Sequence, residues 1–285
     1  MSLRQLLGDQ VAPFIDQFYS KLPHSQAGAA AALCEWGSWD VLAQALQSPE
    51  ADIMVVRRNQ RYAGPPPTTA AEAQQLVADG YTLLVKHAER HHEQLAKLAQ
   101  GFTADLAAEV NIHMYCTPAE QYGFAWHYDA EEVFIVQTTG RKEYSLRKNT
   151  VNPWPLEETL PADMKYEREI MPLMKCMLNA GDWLYIPSGY WHMAAASETA
   201  ISLAIGVMPR TGVDIFNHLR PQVLDSLLWR QRLPVVGEAA TLSDEQLRFA
   251  LSQLAEQLSD DLRRLITRPA FIDSLLAQLR QSSPQ

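Results

Sequence analysis

The sequence predicts a mainly β core with flanking helices. Three observations carry that prediction. Seven short strand-like runs crowd between about residues 109 and 209: Val110–Tyr115, Phe124–Tyr128, Val133–Thr138, Lys142–Leu146, Lys175–Leu178, Trp183–Ile186 and Ala200–Val207. Turn residues separate several of them, including Thr139-Gly140, Ala180-Gly181 and Pro187-Ser188-Gly189; many short strands with such turns indicate a sandwich or barrel. On either side of this stretch, apolar residues recur at helical spacing instead.

Before residue 105 the chain reads as mixed and largely helical. Leu42, Ala45 and Leu46 share one helical face, as do Leu95, Leu98 and Ala99. Gly64-Pro65-Pro66-Pro67-Thr68-Thr69 is a stiff break, followed by a helix from about Thr69 to Asp79 and a buried strand, Tyr81–Lys86. Within the β region, residues Asn149 to Pro172 are rich in prolines and charges and form an inserted loop at the barrel mouth; long loops in compact domains are often functional.

Beyond about residue 213 helices return. Phe216, Leu219, Val223, Leu224, Leu227 and Leu228 make one apolar stripe. Ser243-Asp244-Glu245-Gln246 has capping-box form and opens a helix with the face Leu247, Leu251, Leu254 and Leu258. Pro269 opens a last helix carrying Phe271, Leu275, Leu276 and Leu279. The expected organisation is therefore an N-terminal region, 1–105, packed on a β core, 106–210, with a C-terminal helical region, 211–285.

Charge and cysteine content narrow the function classes. The 24 Lys and Arg against 33 Asp and Glu leave a net charge of −9, which repels phosphate backbones and makes nucleic acid a poor partner. Cys34, Cys116 and Cys176 form no CxxC pair and no zinc spacing. A sparse, odd set suits a reducing cytoplasm. The N-terminus shows no secretory signal, and no apolar run is long enough to span a membrane.

The sharpest chemical signal is Trp126-His127-Tyr128-Asp129. In an extended chain, residues i and i+2 point to one side, so His127 and Asp129 can aim at one point. A lone HxD arises often by chance, and its bland reading is a strand histidine beside a surface aspartate. A third ligand is offered by His192, which ends the phrase Gly181-Asp182-Trp183-Leu184-Tyr185-Ile186-Pro187-Ser188-Gly189-Tyr190-Trp191-His192. That phrase reads as turn, strand and tight turn, delivering a histidine to the start of the next strand. Two imidazoles and a carboxylate on one face of an octahedral metal mark non-haem Fe(II) oxygenases. Lys142 follows the Thr139-Gly140 turn with Tyr144 and Leu146 on its face. Such a cation could hold the distal carboxylate of 2-oxoglutarate, although a lone strand lysine is ordinarily solvated. Arg141 points to the opposite, solvent face.

These residues resemble the JmjC oxygenases, specifically the cupin-like bacterial branch that includes ribosomal-protein hydroxylases. Four segments carry the resemblance: Tyr115–Pro118, Gly123–Asp129, Val133–Lys142 and Gly181–His192. It implies a double-stranded β-helix (jelly roll, cupin/JmjC) core. It implies iron ligation by His127, Asp129 and His192, and 2-oxoglutarate held by Lys142. Ser202 falls where the family often has a polar residue near the co-substrate, against a plain reading as a small barrel-lining residue. Tyr115 is carried over with it, although the structural reading, an aromatic whose hydroxyl has found a partner, is preferred for it. The implied reaction is dioxygenase chemistry. Fe(II), 2-oxoglutarate and O2 together hydroxylate a substrate C–H bond, and succinate and CO2 leave. A protein or peptide side chain is the expected substrate, with a small molecule or modified nucleoside as the alternative. A non-catalytic metal-binding cupin is the reading from a different class. A homodimer through the C-terminal helices is also expected. The chain departs from the family pattern at Glu120-Gln121-Tyr122, at Phe124 and at Glu132, which replaces an aspartate before Val133.

Other histidines weigh less. His87 and His91 have i, i+4 spacing, but Glu89 is not where a zinc protease needs its glutamate, so a polar helix is expected there. His113 is expected to be packed or hydrogen-bonded. Trp154, between two prolines of the inserted loop, is either a substrate lid or a buried loop anchor.

Overall fold

The computed structural model describes residues 2–161, 164–166, 170–238 and 240–281. The chain divides into two compact units, Met1–Pro209 and Arg210–Ser283. In the first, helices α1 (Leu3–Leu7), α2 (Val11–Gln17), α3 (Trp39–Leu46), α4 (Ala70–Ala78) and α5 (Glu93–Leu106) accompany eleven strands. Four of these, β1 (His24–Gln26), β2 (Asp52–Arg57), β3 (Gln60–Arg61) and β4 (Thr82–Lys86), precede residue 105. The others are β5 (Val110–Thr117), β6 (Glu132–Thr139), β7 (Lys142–Arg147), β8 (Met174–Leu178), β9 (Trp183–Ile186), β10 (Trp191–Ala196) and β11 (Ala200–Val207).

Two antiparallel sheets result among the described residues. The larger runs β1-β9-β6-β11-β5-β4-β2-β3, and the smaller runs β10-β7-β8. Strands of the N-terminal region thus extend the main sheet beyond β5, with Leu84 opposite Tyr115. This is the double-stranded β-helix expected from the sequence, a mainly β core with helices at its flank.

Side-chain alternation explains the layers. Ile201, Leu203, Ile205 and Val207 of β11 face one way, into a core with Leu42, Leu95, Leu98 and Phe102 of the helices. The intervening Ala200, Ser202, Ala204 and Gly206 face the other way, as the strand period of two requires. They are small, which leaves room between the sheets for a site. Val133, Ile135, Tyr144, Leu146, Leu184 and Ile186 form a second core that joins the two sheets. The helix starts follow local rules: Thr69 caps α4 in a full capping box with Glu72.

The expected strand at Phe124–Tyr128 is corrected. This stretch is irregular and touches the smaller sheet only through an isolated His127–His192 bridge. Within it, His127 exchanges both backbone bonds with His192, in place of a ladder. The polar helix expected at His87–His91 is also corrected. His87 has a left-handed backbone, a 3-10 turn occupies Ala88–Arg90, and α5 starts only after His92.

The second unit contains α6 (Gly212–Asp225), α7 (Asp244–Ile266) and α8 (Pro269–Arg280). Leu219, Leu265, Phe271 and Leu275 make its small core. The stripe drawn from Phe216 to Leu228 does not form one buried face. Helix α6 contains Pro221 and ends at Asp225, and Phe216 is 65% exposed; a proline inside a helix removes one backbone bond and favours an early end. No helix among the described residues is long and apolar enough to cross a membrane.

Candidate metal and co-substrate site

His127, Asp129 and His192 come together although 65 positions separate the two histidines. One ligand atom from each lies within 4.8 Å of the others. The imidazole centroids are 4.2 Å apart, and His192 Nε2 is 3.4 Å from Asp129 Oδ2. Two backbone bonds between His127 and His192, at 3.1 and 2.8 Å, fix the approach.

Each histidine also has its tautomer set. His127 Nδ1 lies 2.8 Å from the Ala125 carbonyl, and His192 Nδ1 lies 3.0 Å from the Tyr190 carbonyl. A carbonyl oxygen only accepts, so each Nδ1 carries a hydrogen; this leaves the His127 Nε2 lone pair free, while His192 Nε2 is turned to the Asp129 carboxylate. Metal-binding histidines are oriented by such outer bonds. Burial, with the His192 charge, pulls the His127 imidazole down to about 4, so it is neutral. For Asp129, burial works against ionisation, but the hydrogen bond and charge of His192 hold the carboxyl well below its usual range. His192 shows the reverse balance: burial lowers its pKa, and Asp129 more than restores it. The donor set fits a divalent metal with open positions.

Lys142 is buried, and its Nζ donates to Ser202 Oγ at 3.0 Å. It also sits 5.7 Å from the centroid of the Tyr115 ring. Burial lowers the Lys142 ammonium to about 8. Tyr144 hydrogen-bonds Ser202 from the same side. Lys142, Ser202 and Tyr115 therefore form one group on the inner faces of β7, β11 and β5. Arg141 is exposed, as expected.

His113 lies on the inner face of β5 with Tyr115. Its Nδ1 accepts the His87 amide at 3.2 Å, and burial lowers it to about 4. Trp154 is 84% exposed, which overturns the buried-anchor reading. It lines a cleft of about 600 Å³ with Lys21, Lys148, Asn149 and Tyr190.

Sequence reasoning missed several neighbours. Tyr166, from the inserted loop, stacks on Trp126 with centroids 4.7 Å apart and meets Trp191 edge-on at 5.3 Å. The rest of the loop expectation falls partly on residues 162, 163 and 167–169, which lie outside the described residues. Glu131 hydrogen-bonds Asn111, and burial raises its carboxyl to about 7. Only its place two residues after Asp129 could have marked it.

Residues 83–215 match the JmjC domain family. The matched segment contains all six site residues. The bifunctional lysine-specific demethylase and histidyl-hydroxylase NO66 of Drosophila mojavensis is 29% identical over 214 residues, covering 70% of this chain and 24% of that protein. Ribosomal oxygenase 1 of Gallus gallus is 28% identical over 178 residues, covering 59% of this chain and 30% of that protein. The chain thus spans between 24% and 30% of these relatives' lengths. Among solved structures, the Escherichia coli ribosomal oxygenase YcfD in complex with cobalt and 2-oxoglutarate superposes with a TM-score of 0.65. It is 20% identical, over 96% of this chain and 72% of that one, and it shares the fold.

Proposed function

We propose that the chain is an Fe(II)- and 2-oxoglutarate-dependent dioxygenase that hydroxylates a protein side chain. The observation that carries this reading is the convergence of one ligand atom each from His127, Asp129 and His192 within 4.8 Å, with each imidazole oriented by a backbone carbonyl at its Nδ1. His127, Asp129 and His192 would hold the iron, and Lys142 would hold the distal carboxylate of 2-oxoglutarate. When bound, the iron with 2-oxoglutarate and O2 supplies the oxidative C–H chemistry, which belongs to the cofactor.

The chain's own residues bind, orient and exclude water. Lys142 pairs its cation with a carboxylate in a buried setting, where a charge-assisted bond is strong. Ser202 steers that ammonium, and Tyr115 offers a hydroxyl beside it. Tyr166, Trp126 and Trp191 place apolar rings next to His127 and His192, which limits water there. The names of the relatives, histidyl-hydroxylase and ribosomal oxygenase, support a protein substrate, and the net charge of −9 favours a basic one. The free cysteines Cys34, Cys116 and Cys176 suit a cytoplasmic setting. We also assign a homodimer to the C-terminal helices.

The deciding experiment is succinate release from 2-oxoglutarate by the purified chain with Fe(II), ascorbate and O2, with and without total ribosomal protein. Iron-dependent succinate that rises with ribosomal protein is the expected outcome. No succinate in either arm, with no 2-oxoglutarate binding by calorimetry, would overturn the enzymatic reading.

A further inference from the structure

Asp129 and Ala130 lie outside any strand, so no ladder holds them. The corner Pro187–Tyr190 holds them instead. The Gly189 amide donates to the Asp129 carbonyl at 2.9 Å, and the Ser188 hydroxyl donates to the Ala130 carbonyl at 3.0 Å. Gly189 has φ +79°, and a Cβ there would come within 2.7 Å of the Pro153 carbonyl, so the corner has little freedom. Two residues later the same chain delivers His192.

The corner is tied in turn to a buried carboxylate. Glu132 is 2% exposed and accepts the Ser188 amide at 3.2 Å. It also accepts the Ser20 hydroxyl at 2.7 Å and the Tyr185 hydroxyl. The Ser20 amide donates to the Tyr185 hydroxyl at 2.7 Å, and the Tyr190 hydroxyl donates to the Lys21 carbonyl at 3.1 Å. Ser20 has φ 58°, a left-handed backbone that is costly for serine. A glycine would adopt it freely but has no hydroxyl for Glu132. Strain of this kind persists only where the surroundings enforce it.

We infer that Glu132 is a positioning residue for the His127–Asp129–His192 triad, acting through the 187–190 corner and completed by Ser20 of the N-terminal segment. This rests on the metal reading above. It adds that residues 20–21, outside the matched JmjC segment, support the metal centre. It also accounts for the glutamate at position 132. Its carboxylate gathers three donors from two separate stretches of chain, residue 20 and residues 185–188. Removing it leaves the buried Tyr185 hydroxyl and the half-buried Ser188 amide without this partner and frees the corner to shift away from Asp129.

The test is Mn(II) affinity of the full chain, read by the spin resonance of the free ion well below the melting temperature. Glu132→Ala should weaken Mn(II) about tenfold, the scale of an outer-shell loss. Glu132→Gln should stay close to the wild type. Its amide oxygen still accepts from Tyr185 and Ser188, and its amide N–H can donate to a reoriented Ser20 hydroxyl. Ser20→Ala and Ser20→Gly should weaken Mn(II) alike, although Ser20→Gly melts higher because its backbone is relaxed. Wild-type affinity in Glu132→Ala overturns the inference, as does an affinity that simply follows melting temperature across the two serine variants. Should Glu132→Ala fail to fold, the serine pair decides the matter. If the wild-type chain itself takes up no Mn(II), the metal reading falls and takes the inference with it. Normal binding by wild type and variants alike removes the inference alone.

Discussion

At the scale of single residues, the site is defined by which atoms are left free. His127 and His192 give their Nδ1 hydrogens to backbone carbonyls, which leaves the His127 Nε2 lone pair free and turns His192 Nε2 to the Asp129 carboxylate. Asp129→Ala should therefore end iron-dependent succinate formation while the far-ultraviolet dichroism stays native; unchanged turnover would remove Asp129 from the metal. Lys142 supports a pH prediction. Its ammonium loses its proton at about 8 in the folded chain, below the ordinary lysine value of 10.5. Two consequences follow, of opposite sign. The co-substrate needs the cation, so 2-oxoglutarate affinity should fall as pH rises through about 8, and Lys142→Met should be weak at every pH. Folding instead gains as pH rises from about 8 towards 10.5, because the unfolded chain still binds a proton that the folded chain has shed. Calorimetric titration of 2-oxoglutarate at pH 7 and pH 9 checks the first. The triad and Lys142 were legible because their residue types sit in short phrases. Ser20 and Glu132 were not, because their roles exist only through contacts between positions 53 to 112 apart.

At the scale of elements, β9 and β11 run where the sequence placed them, since short, largely apolar runs between turn and polar residues leave few alternatives. The stretch carrying His127 was misread as a strand. Aromatic residues in succession favour that reading, but here the rings Phe124, Trp126 and Tyr128 pack on Tyr115, Tyr166 and Trp191 respectively. Side-chain packing replaces a ladder, and local propensity does not encode it. The Trp126–Tyr166 stack belongs to this scale because it joins the inserted loop to the site. Such a pair contributes about 0.5–1.5 kcal/mol beyond area burial. Tyr166→Ala should thus speed proteolytic cleavage within residues 149–172 roughly two- to tenfold, the range those energies convert to. Unchanged cleavage would mean that the loop is held by other contacts.

At the scale of the whole molecule, the two units differ in how completely they bury their apolar residues. The first unit sandwiches its main sheet between helices and a second sheet, and Phe134 lies fully buried in its core. Phe134→Ala should cost about 3–5 kcal/mol of stability, read by urea unfolding. The helical unit buries little. Helix α7 contributes Leu262, Leu265 and Ile266 to the small core. Its earlier leucines, Leu247, Leu251, Leu254 and Leu258, are exposed or half-buried. Their spacing of four, three and four is that of a coiled-coil seam. A 23-residue helix with a full N-terminal capping box and a partly exposed leucine face gains stability when that face is covered. The proposed homodimer supplies a second copy of the same seam. Leu251→Glu should then convert a dimer to a monomer in light scattering at micromolar concentration, because a charge at the seam must be desolvated. Uncoupled succinate formation should persist, since all six site residues lie in the other unit. A wild-type chain that scatters as a monomer at those concentrations would refute the dimer and leave the leucine face to another partner.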